Sequence, residues 1–499
     1  MSSESASRGR GAKGMAERGI HVLSAVVSLV LILLVAWVAA CLWLQRDLPP
    51  KFTAEELAQF TPTWPQGFLW GTATAAHQVE GGQHNDWTRM EEQPGAIATG
   101  EKSGRADDMW NRFAEDVPRM KALRSNAYRL SIEWSRLEPE EGKWDEAAWG
   151  RYAEWVRLLN RNGITPMVTL LHYSLPLWMA DRGGIAAPDF PEKFARFAAE
   201  AAARLGTEVR IWCILNEPNF HIQHSYLAGN YPPRKRSARE AVKAFAGMLH
   251  AFANASRALH AHDASARVGA AISFTFYEPR SHWSLLDWGM TMRRAAGDDW
   301  AFYDALKTGH IRLKLPSATE SITVASSSYV KAGQEPPDPS PAAIDEVDPA
   351  IAGSADWYGV NYYDRNIVRF APSAPGGMEV VEGPGPQGDL GWEMYPEGLL
   401  WALRTAHQRY HIPVYVTENG VPDEAGKLRA PFIRGHAYAV ARALAAGVPV
   451  KGYFYWSLLD NFEWTDGFKP RFGLYRVDYA TLDRQLAKGS EEFIKLAPR

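Results

Sequence analysis

Cysteine is almost missing from this chain of 499 residues: only Cys41 and Cys213 occur, and neither stands in a CxxC or metal-ligand spacing. Two isolated thiols give no disulfide framework, and no zinc site or other metal or cofactor is implied. Long blocks of one charge are also absent. The 54 basic and 57 acidic residues are interspersed and the formal net charge is −3, so nothing suggests a nucleic-acid partner. No GxGxxG or Walker sequence opens a helix, which weakens the case for an open, doubly wound nucleotide-binding sheet. Aromatic residues, by contrast, are plentiful. They make up 12% of the chain and include 20 Trp. Their rings offer sugars an apolar face and hydrogen-bonding tips, although core packing also uses them. A hydrophobic content of 46% at this length supports a large buried core.

One stretch lacks charge altogether. Ile20 to Leu44 is a run of 25 residues without Asp, Glu, Lys or Arg. As a helix it exceeds the roughly 30 Å thickness of a bilayer's hydrocarbon, which predicts a transmembrane span. Arg8, Arg10, Lys13 and Arg18 precede it, against Arg46 and Lys51 after it. The positive-inside rule then puts the N-terminus in the cytoplasm and the rest on the periplasmic or extracellular side. The rival is a cleaved secretory signal. Val38-Ala39-Ala40 before Cys41 resembles a bacterial lipoprotein box with processing at Cys41. The length of the run, and its continuation through Leu42, Trp43 and Leu44, favour an uncleaved anchor. The expected layout is a cytoplasmic tail (1–19), a span (20–44), a linker (45–65) containing Pro49, Pro50, Pro62 and Pro65, and a catalytic domain (66–499).

Beyond Phe68 one pattern recurs, a short apolar strand-like run followed by a stretch with helical periodicity. Eight runs are counted: Phe68–Ala76, Asn126–Ile132, Thr165–His172, Arg210–Glu217, Arg267–Phe274, Trp357–Tyr363, Pro413–Asn419 and Val450–Ser457. Between them lie amphipathic stretches such as Ala147–Arg161, Pro191–Leu205, Ala238–His260 and Pro396–Tyr410. Eight strands alternating with helices predict an α/β fold, a (β/α)8 TIM barrel with enlarged loops, preceded by a single transmembrane helix. Pro316–Pro349, rich in Ser, Pro and acidic residues, reads as a long surface loop between the fifth and sixth strands.

In such a barrel the active site lies at the C-terminal ends of the strands, and here those ends are polar. The runs finish in or pass into Gln78, His172, Asn216-Glu217, Asn361-Tyr362-Tyr363, Glu418-Asn419, Trp456 and Glu463-Trp464. Two carboxylates projecting into one cavity are what glycoside hydrolysis needs, one protonating the leaving oxygen while the other attacks the anomeric carbon. Glu217 and Glu418 occupy that arrangement. Their repulsion raises the pKa of whichever has less cationic support, and Arg129, in the second strand, keeps a nearby carboxylate ionised. From spacing alone either glutamate could be the nucleophile.

Phe68-Leu69-Trp70-Gly71-Thr72-Ala73-Thr74-Ala75-Ala76-His77-Gln78-Val79-Glu80-Gly81 resembles the N-terminal signature of glycoside hydrolase family 1, the β-glucosidases and their relatives, with His77 where Tyr or Phe is usual. Tyr128-Arg129-Leu130-Ser131-Ile132-Glu133-Trp134-Ser135-Arg136, Leu215-Asn216-Glu217-Pro218, Val416-Thr417-Glu418-Asn419-Gly420 and the run Trp456 to Trp464 match further family motifs in order. The resemblance covers about residues 66–485. It implies a retaining β-glycosidase with Glu217 as acid/base and Glu418 as nucleophile. It also implies that Arg129 and Tyr363 orient Glu418, that Asn216 bonds the sugar 2-hydroxyl, and that Gln78, His172, Glu463 and Trp464 bond the other hydroxyls above a Trp456 floor. Asn361 is placed among the substrate-binding residues. One departure touches the pocket: Tyr173 follows His172 where the family usually has Trp.

The first functional reading is hydrolysis of an unphosphorylated β-glucoside, β-galactoside or β-fucoside by double displacement, with a glycoside substrate and the membrane as partners. The second is a membrane-bound transglycosylase acting on glycolipids, like membrane-bound plant relatives that remodel galactolipids. A silent receptor resembling the membrane-anchored Klotho relatives is disfavoured, because those lack one of the two glutamates and this chain keeps both. Myrosinase-like chemistry is disfavoured as well, because plant myrosinases carry Gln where Glu217 stands.

Overall fold

A computed structural model of the chain describes residues 4–298, 300–316 and 337–498. All eight expected runs are strands. Numbered along the chain, the barrel consists of β1 (Leu69–Ala73), β2 (Ala127–Ser131), β3 (Thr165–Leu171), β4 (Ile211–Asn216), β5 (Arg267–Pro279), β8 (Trp357–Phe370), β10 (Val414–Asn419) and β11 (Val450–Trp456). Each pairs in parallel with its neighbour, and β11 returns to β1, closing an eight-stranded TIM barrel. β6 (His310–Leu315) and β7 (Ala342–Val347) form a separate antiparallel pair, and β9 (Met378–Val381) pairs with the outer half of β8.

Barrel strands are covered on both faces, which is why they read as continuous apolar runs rather than alternations. The outward residues pack under helices such as Glu146–Arg161, whose buried Trp149, Tyr152, Val156 and Leu159 recur at helical spacing behind an Asp145 cap. Inward residues follow the period of two along each strand. At the lower level these are apolar, with Ala127, Met167, Ile211, Trp357, Tyr415 and Phe454 packed together. Two residues further along their strands stand Arg129, Thr169, Cys213 and Thr417, all buried. The interior therefore changes from an apolar plug to a polar floor at the mouth, and the site begins there.

Within the expected linker 45–65, Thr53 caps a short helix, Ala54–Gln59, and Phe52 and Phe60 pack edge-on against Tyr438, laying the segment on the barrel wall. Two expectations differ from what is observed. β5 and β8 run on past their expected ends, at Phe274 and Tyr363, because they keep pairing with each other beyond the barrel mouth, as far as Pro279 and Val368. Of the expected loop Pro316–Pro349, residues 317–336 lie outside the described residues, and Ala342–Val347 is a strand paired with His310–Leu315.

The N-terminal helix spans Glu4–Gln45. Within it His21–Gln45, 25 residues long, is long and apolar enough to cross a membrane, and little of it is covered by the protein. Among its described side chains, those of the last turns meet the barrel. Cys41 is fully buried, Gln45 Nε2 donates to the His282 carbonyl at 3.2 Å, and the rings of Trp37 and Trp283 are 5.7 Å apart.

Candidate active site

A cleft of about 910 Å³ opens at the C-terminal end of the barrel, lined by both Glu217 and Glu418. Glu418 is the penultimate residue of β10. Arg129 Nη1 donates to its Oε1 at 2.6 Å and the Tyr363 hydroxyl to its Oε2 at 2.7 Å, so both oxygens are held. Arg129 is itself fixed by Thr169 Oγ1 at 3.1 Å and Asn216 Oδ1 at 2.7 Å, which leaves its guanidinium no other orientation. The strand end is pinned by Asn419, which donates to the Tyr362 carbonyl at 2.6 Å and accepts from Tyr453 at 2.8 Å. A Cβ at Gly420 would collide with the Trp456 carbonyl oxygen, so only glycine lets β10 and β11 close together here.

Glu217 leaves β4 in the left-handed region, at φ 44° and ψ 57°, and is followed by a short helix, Pro218–Ile222. That conformation costs a non-glycine residue about 1–2 kcal/mol. Its amide still donates to the Ala271 carbonyl at 2.7 Å, which holds the turn against β5. Asn361 Nδ2 donates to Glu217 Oε1 at 2.8 Å and the Tyr173 hydroxyl bonds its Oε2.

The two carboxyls differ in electrostatic support. Burial raises Glu217, the Glu418 charge raises it further, and together they lift it to about 7. Burial raises Glu418 as well, but the Arg129 cation and the Tyr363 hydroxyl oppose it. Glu418 therefore gives up its proton first, and Glu217 keeps one near neutrality. This is the division of labour that an acid and a nucleophile require.

Around this pair the residues expected to bind sugar converge. Asn216 Oδ1 accepts from Arg129 and from Asn361, so its amide nitrogen faces His172 Nε2 at 3.0 Å. That fixes the His172 proton on Nδ1, since burial and the Arg129 cation keep the ring neutral. Among the described residues His172 Nδ1 and Gln78 Oε1 are both buried without a hydrogen-bond partner, a state that sugar hydroxyls would relieve. Gln78 is oriented by its own amide, which donates to Asn461 Oδ1 and the Phe462 carbonyl, both at 2.9 Å. Trp456 and Glu463 line the cleft with Trp464, and the ring of His172 stacks near Trp456 at 5.8 Å.

Asn361, expected among the substrate contacts, is fully buried, and its amide is bonded to Glu217, Asn216 and Thr417. Tyr173 was legible only as a departure from the family wording, and nothing in the sequence signals its bond to Glu217. His77 lies behind the pocket, stacked on Trp464 at 5.5 Å and bonded to Glu91 at 2.9 Å. Glu80 and Glu133 make structural contacts with Tyr152, Arg136, Ser135 and Ser174.

The bond from Tyr173 yields a prediction. A hydroxyl donor stabilises the ionised form of Glu217 and so lowers its pKa, opposing the burial. An acid at this position has to be protonated in the free enzyme, and with Glu217 in that role kcat/KM is expected to fall as pH rises through about 7. Tyr173→Phe removes the donor and should move that alkaline limb to higher pH, leaving the acidic limb in place. A profile superimposable on the native one would show that the hydroxyl does not act on Glu217.

The family model for glycosyl hydrolase family 1 matches residues 60–496. Beta-glucosidase A of Thermotoga maritima is 32% identical over 439 residues, covering 84% of this chain and 94% of that protein. Beta-glucosidase 16 of Arabidopsis thaliana is 30% identical over 481 residues, covering 87% and 90%. The solved family 1 β-glucosidase of Thermotoga maritima superposes with a TM-score of 0.75 at 28% identity, over 87% of this chain and 99% of that one. Its complex with deoxynojirimycin gives 0.74. This chain therefore belongs to glycosyl hydrolase family 1, as a β-glucosidase-like O-glycosyl hydrolase.

Proposed function

We propose that the chain hydrolyses unphosphorylated β-D-glucosides, or the related β-galactosides and β-fucosides, by double displacement, with Glu418 as nucleophile and Glu217 as acid/base. The observation that carries this reading is the asymmetry of the pair. Arg129 and Tyr363 bond both oxygens of Glu418 and favour its ionised form, whereas among the described residues no cation is bonded to Glu217, which is raised to about 7. Glu418 attacks the anomeric carbon while Glu217 protonates the departing oxygen. Glu217, now ionised, then takes a proton from the water that releases the sugar. Asn216, His172, Gln78, Glu463, Trp464 and Trp456 hold the sugar, and contacts that tighten at the transition state lower the barrier. Assay of the purified chain on a panel of nitrophenyl β-glycosides tests the reading, with β-glucoside turnover expected.

We further propose that the apolar helix is an uncleaved anchor, with residues 20–44 in the membrane and the barrel on the non-cytoplasmic side. Its apolar length supports this. Protease added to intact cells should degrade the barrel and leave a short protected N-terminal fragment. A mature N-terminus at Cys41 would point to a lipoprotein instead.

Selection against 6-phosphoglycosides rests on Glu463. Burial raises this carboxyl to about 8, helped by Asp466 and Glu418, so near pH 7 it is largely neutral, and it ionises as pH rises. Neutral Glu463 offers a phosphate no cation, and ionised Glu463 repels it. The preference for β-glucoside over its 6-phosphate should therefore be present at pH 6 and grow toward pH 9. Comparable turnover of the two substrates across that range would contradict the assignment.

A further inference from the structure

The apolar residues that the barrel leaves exposed are gathered in one place. Outside the N-terminal helix, the large exposed apolar side chains among the described residues are Trp283, Leu285, Leu286, Met292, Phe370 and Val380, with only Val347 and Leu486 elsewhere. The first four lie on or next to the helix Leu285–Asp298, and the other two on the β8–β9 hairpin. The two elements are tied together, since the Phe370 amide donates to Asp287 Oδ1 at 2.8 Å. Arg280 and Arg293 are exposed beside them. An apolar patch with a Trp and flanking cations is the composition of a surface that lies in a membrane interface.

The patch also adjoins the N-terminal helix. Gln45 bonds the His282 carbonyl and Trp37 meets Trp283. A hydrocarbon core of roughly 30 Å takes about 20 helical residues at about 1.5 Å each. Counted from His21, that length ends close to Cys41, which is fully buried against the barrel while Leu42 and Trp43 beyond it stay exposed, so the last residues of the 20–44 span lie at the interface. A helix inserted to this depth brings Trp283 and its neighbours down to the headgroup boundary. Residues of the same two elements also border the cleft, Arg294 on the helix and Met378, Glu379, Val380 and Val381 on the hairpin, so the patch and the cleft adjoin.

We propose that this face docks on the lipid bilayer beside the anchor, so that the outer part of the cleft opens at the headgroup layer and the aglycone it accepts is membrane-borne, a β-glycoside of a lipid. The proposal rests on the glycosidase reading and on the anchor. It adds a second membrane contact and commits the hydrolase to the glycolipid class of substrate raised above for the transglycosylase reading. A lipid glycoside held at the headgroup layer reaches the cleft at a high local concentration without leaving the bilayer. Its sugar enters toward Glu418 while its acyl chains remain in the membrane.

The test uses the full chain reconstituted in vesicles of phosphatidylcholine and phosphatidylglycerol that contain β-glucosyl diacylglycerol. The combined variant Trp283→Ser, Leu286→Ser, Met292→Ser and Phe370→Ser should lose about tenfold or more in turnover of the lipid glucoside. It should keep its rate on soluble nitrophenyl β-glucoside, because none of these residues belongs to the catalytic machinery. A polarity-sensitive fluorophore on Leu286→Cys should shift to the blue in vesicles, while one on Asn160→Cys should not. Equal loss on both substrates, an unchanged lipid rate, or a Leu286→Cys signal still characteristic of water would overturn the proposal. So would a blue shift that appears in detergent and rises with protein concentration, which would assign the face to a second copy. If the native chain fails on nitrophenyl β-glucoside, the glycosidase reading falls, and the fluorophore still reports whether the face docks.

Discussion

Replacing Glu418 with Ala is expected to lower kcat on nitrophenyl β-glucoside by roughly 10⁵-fold or more, the scale of other nucleophile deletions. No burst of nitrophenol should precede the residual rate, because no glycosyl-enzyme can form. The loss comes from chemistry more than from collapse. The side chain is buried, and truncating it leaves the Arg129 cation without its carboxylate partner but still bonded to Asn216 and Thr169. A small anion such as azide could enter the vacated space beside Arg129 and attack the anomeric carbon directly. One displacement inverts configuration, so the product should be the α-glycosyl azide.

Glu217→Ala is expected to fail differently. An activated nitrophenol barely needs protonation to leave, so the glycosyl-enzyme should still form on Glu418 and give a burst of nitrophenol. Release should then slow by about 10²–10⁴, the usual contribution of a general base. Poor leaving groups should suffer in the first step as well. Azide should now intercept the intermediate and give the β-glycosyl azide, since two displacements restore configuration. The fall in activity through about pH 7 should also vanish, because the group that titrates there is gone. A β-product from the Glu418 variant and an α-product from the Glu217 variant would reverse the two roles.

The barrel was legible because strands buried on both faces must be apolar throughout, and the mouth was legible because polar residues crowd the strand ends. β10 is an example, turning from Val414-Tyr415-Val416 to Thr417-Glu418-Asn419 within one strand. What escaped the sequence depends on approach through space. Tyr173 and Glu217 are 44 positions apart, and only the turn after β3, with Tyr173 at φ 72°, brings the hydroxyl onto the carboxyl. Asn361 is legible as a polar strand end, but not the register opposite Glu418 on β10 that turns its amide toward Glu217 and Thr417. The segment 45–65 has the prolines of a linker, yet Phe52 and Phe60 find a ring in Tyr438 that local composition cannot reveal. The wall formed by the outer halves of β5 and β8 is likewise set by their pairing with each other and not by any change in pattern at Phe274 or Tyr363.

The central claim is that Glu418 bonds covalently to the sugar. It is tested most directly with dinitrophenyl 2-deoxy-2-fluoro-β-glucoside, whose fluorine slows both displacements while its good leaving group lets the first one proceed. Digestion and mass measurement of the inactivated chain should place one fluoroglucosyl group on the peptide containing Glu418, and none when Glu418→Ala is treated in the same way. A label on Glu217, or turnover without any covalent label, would contradict the account.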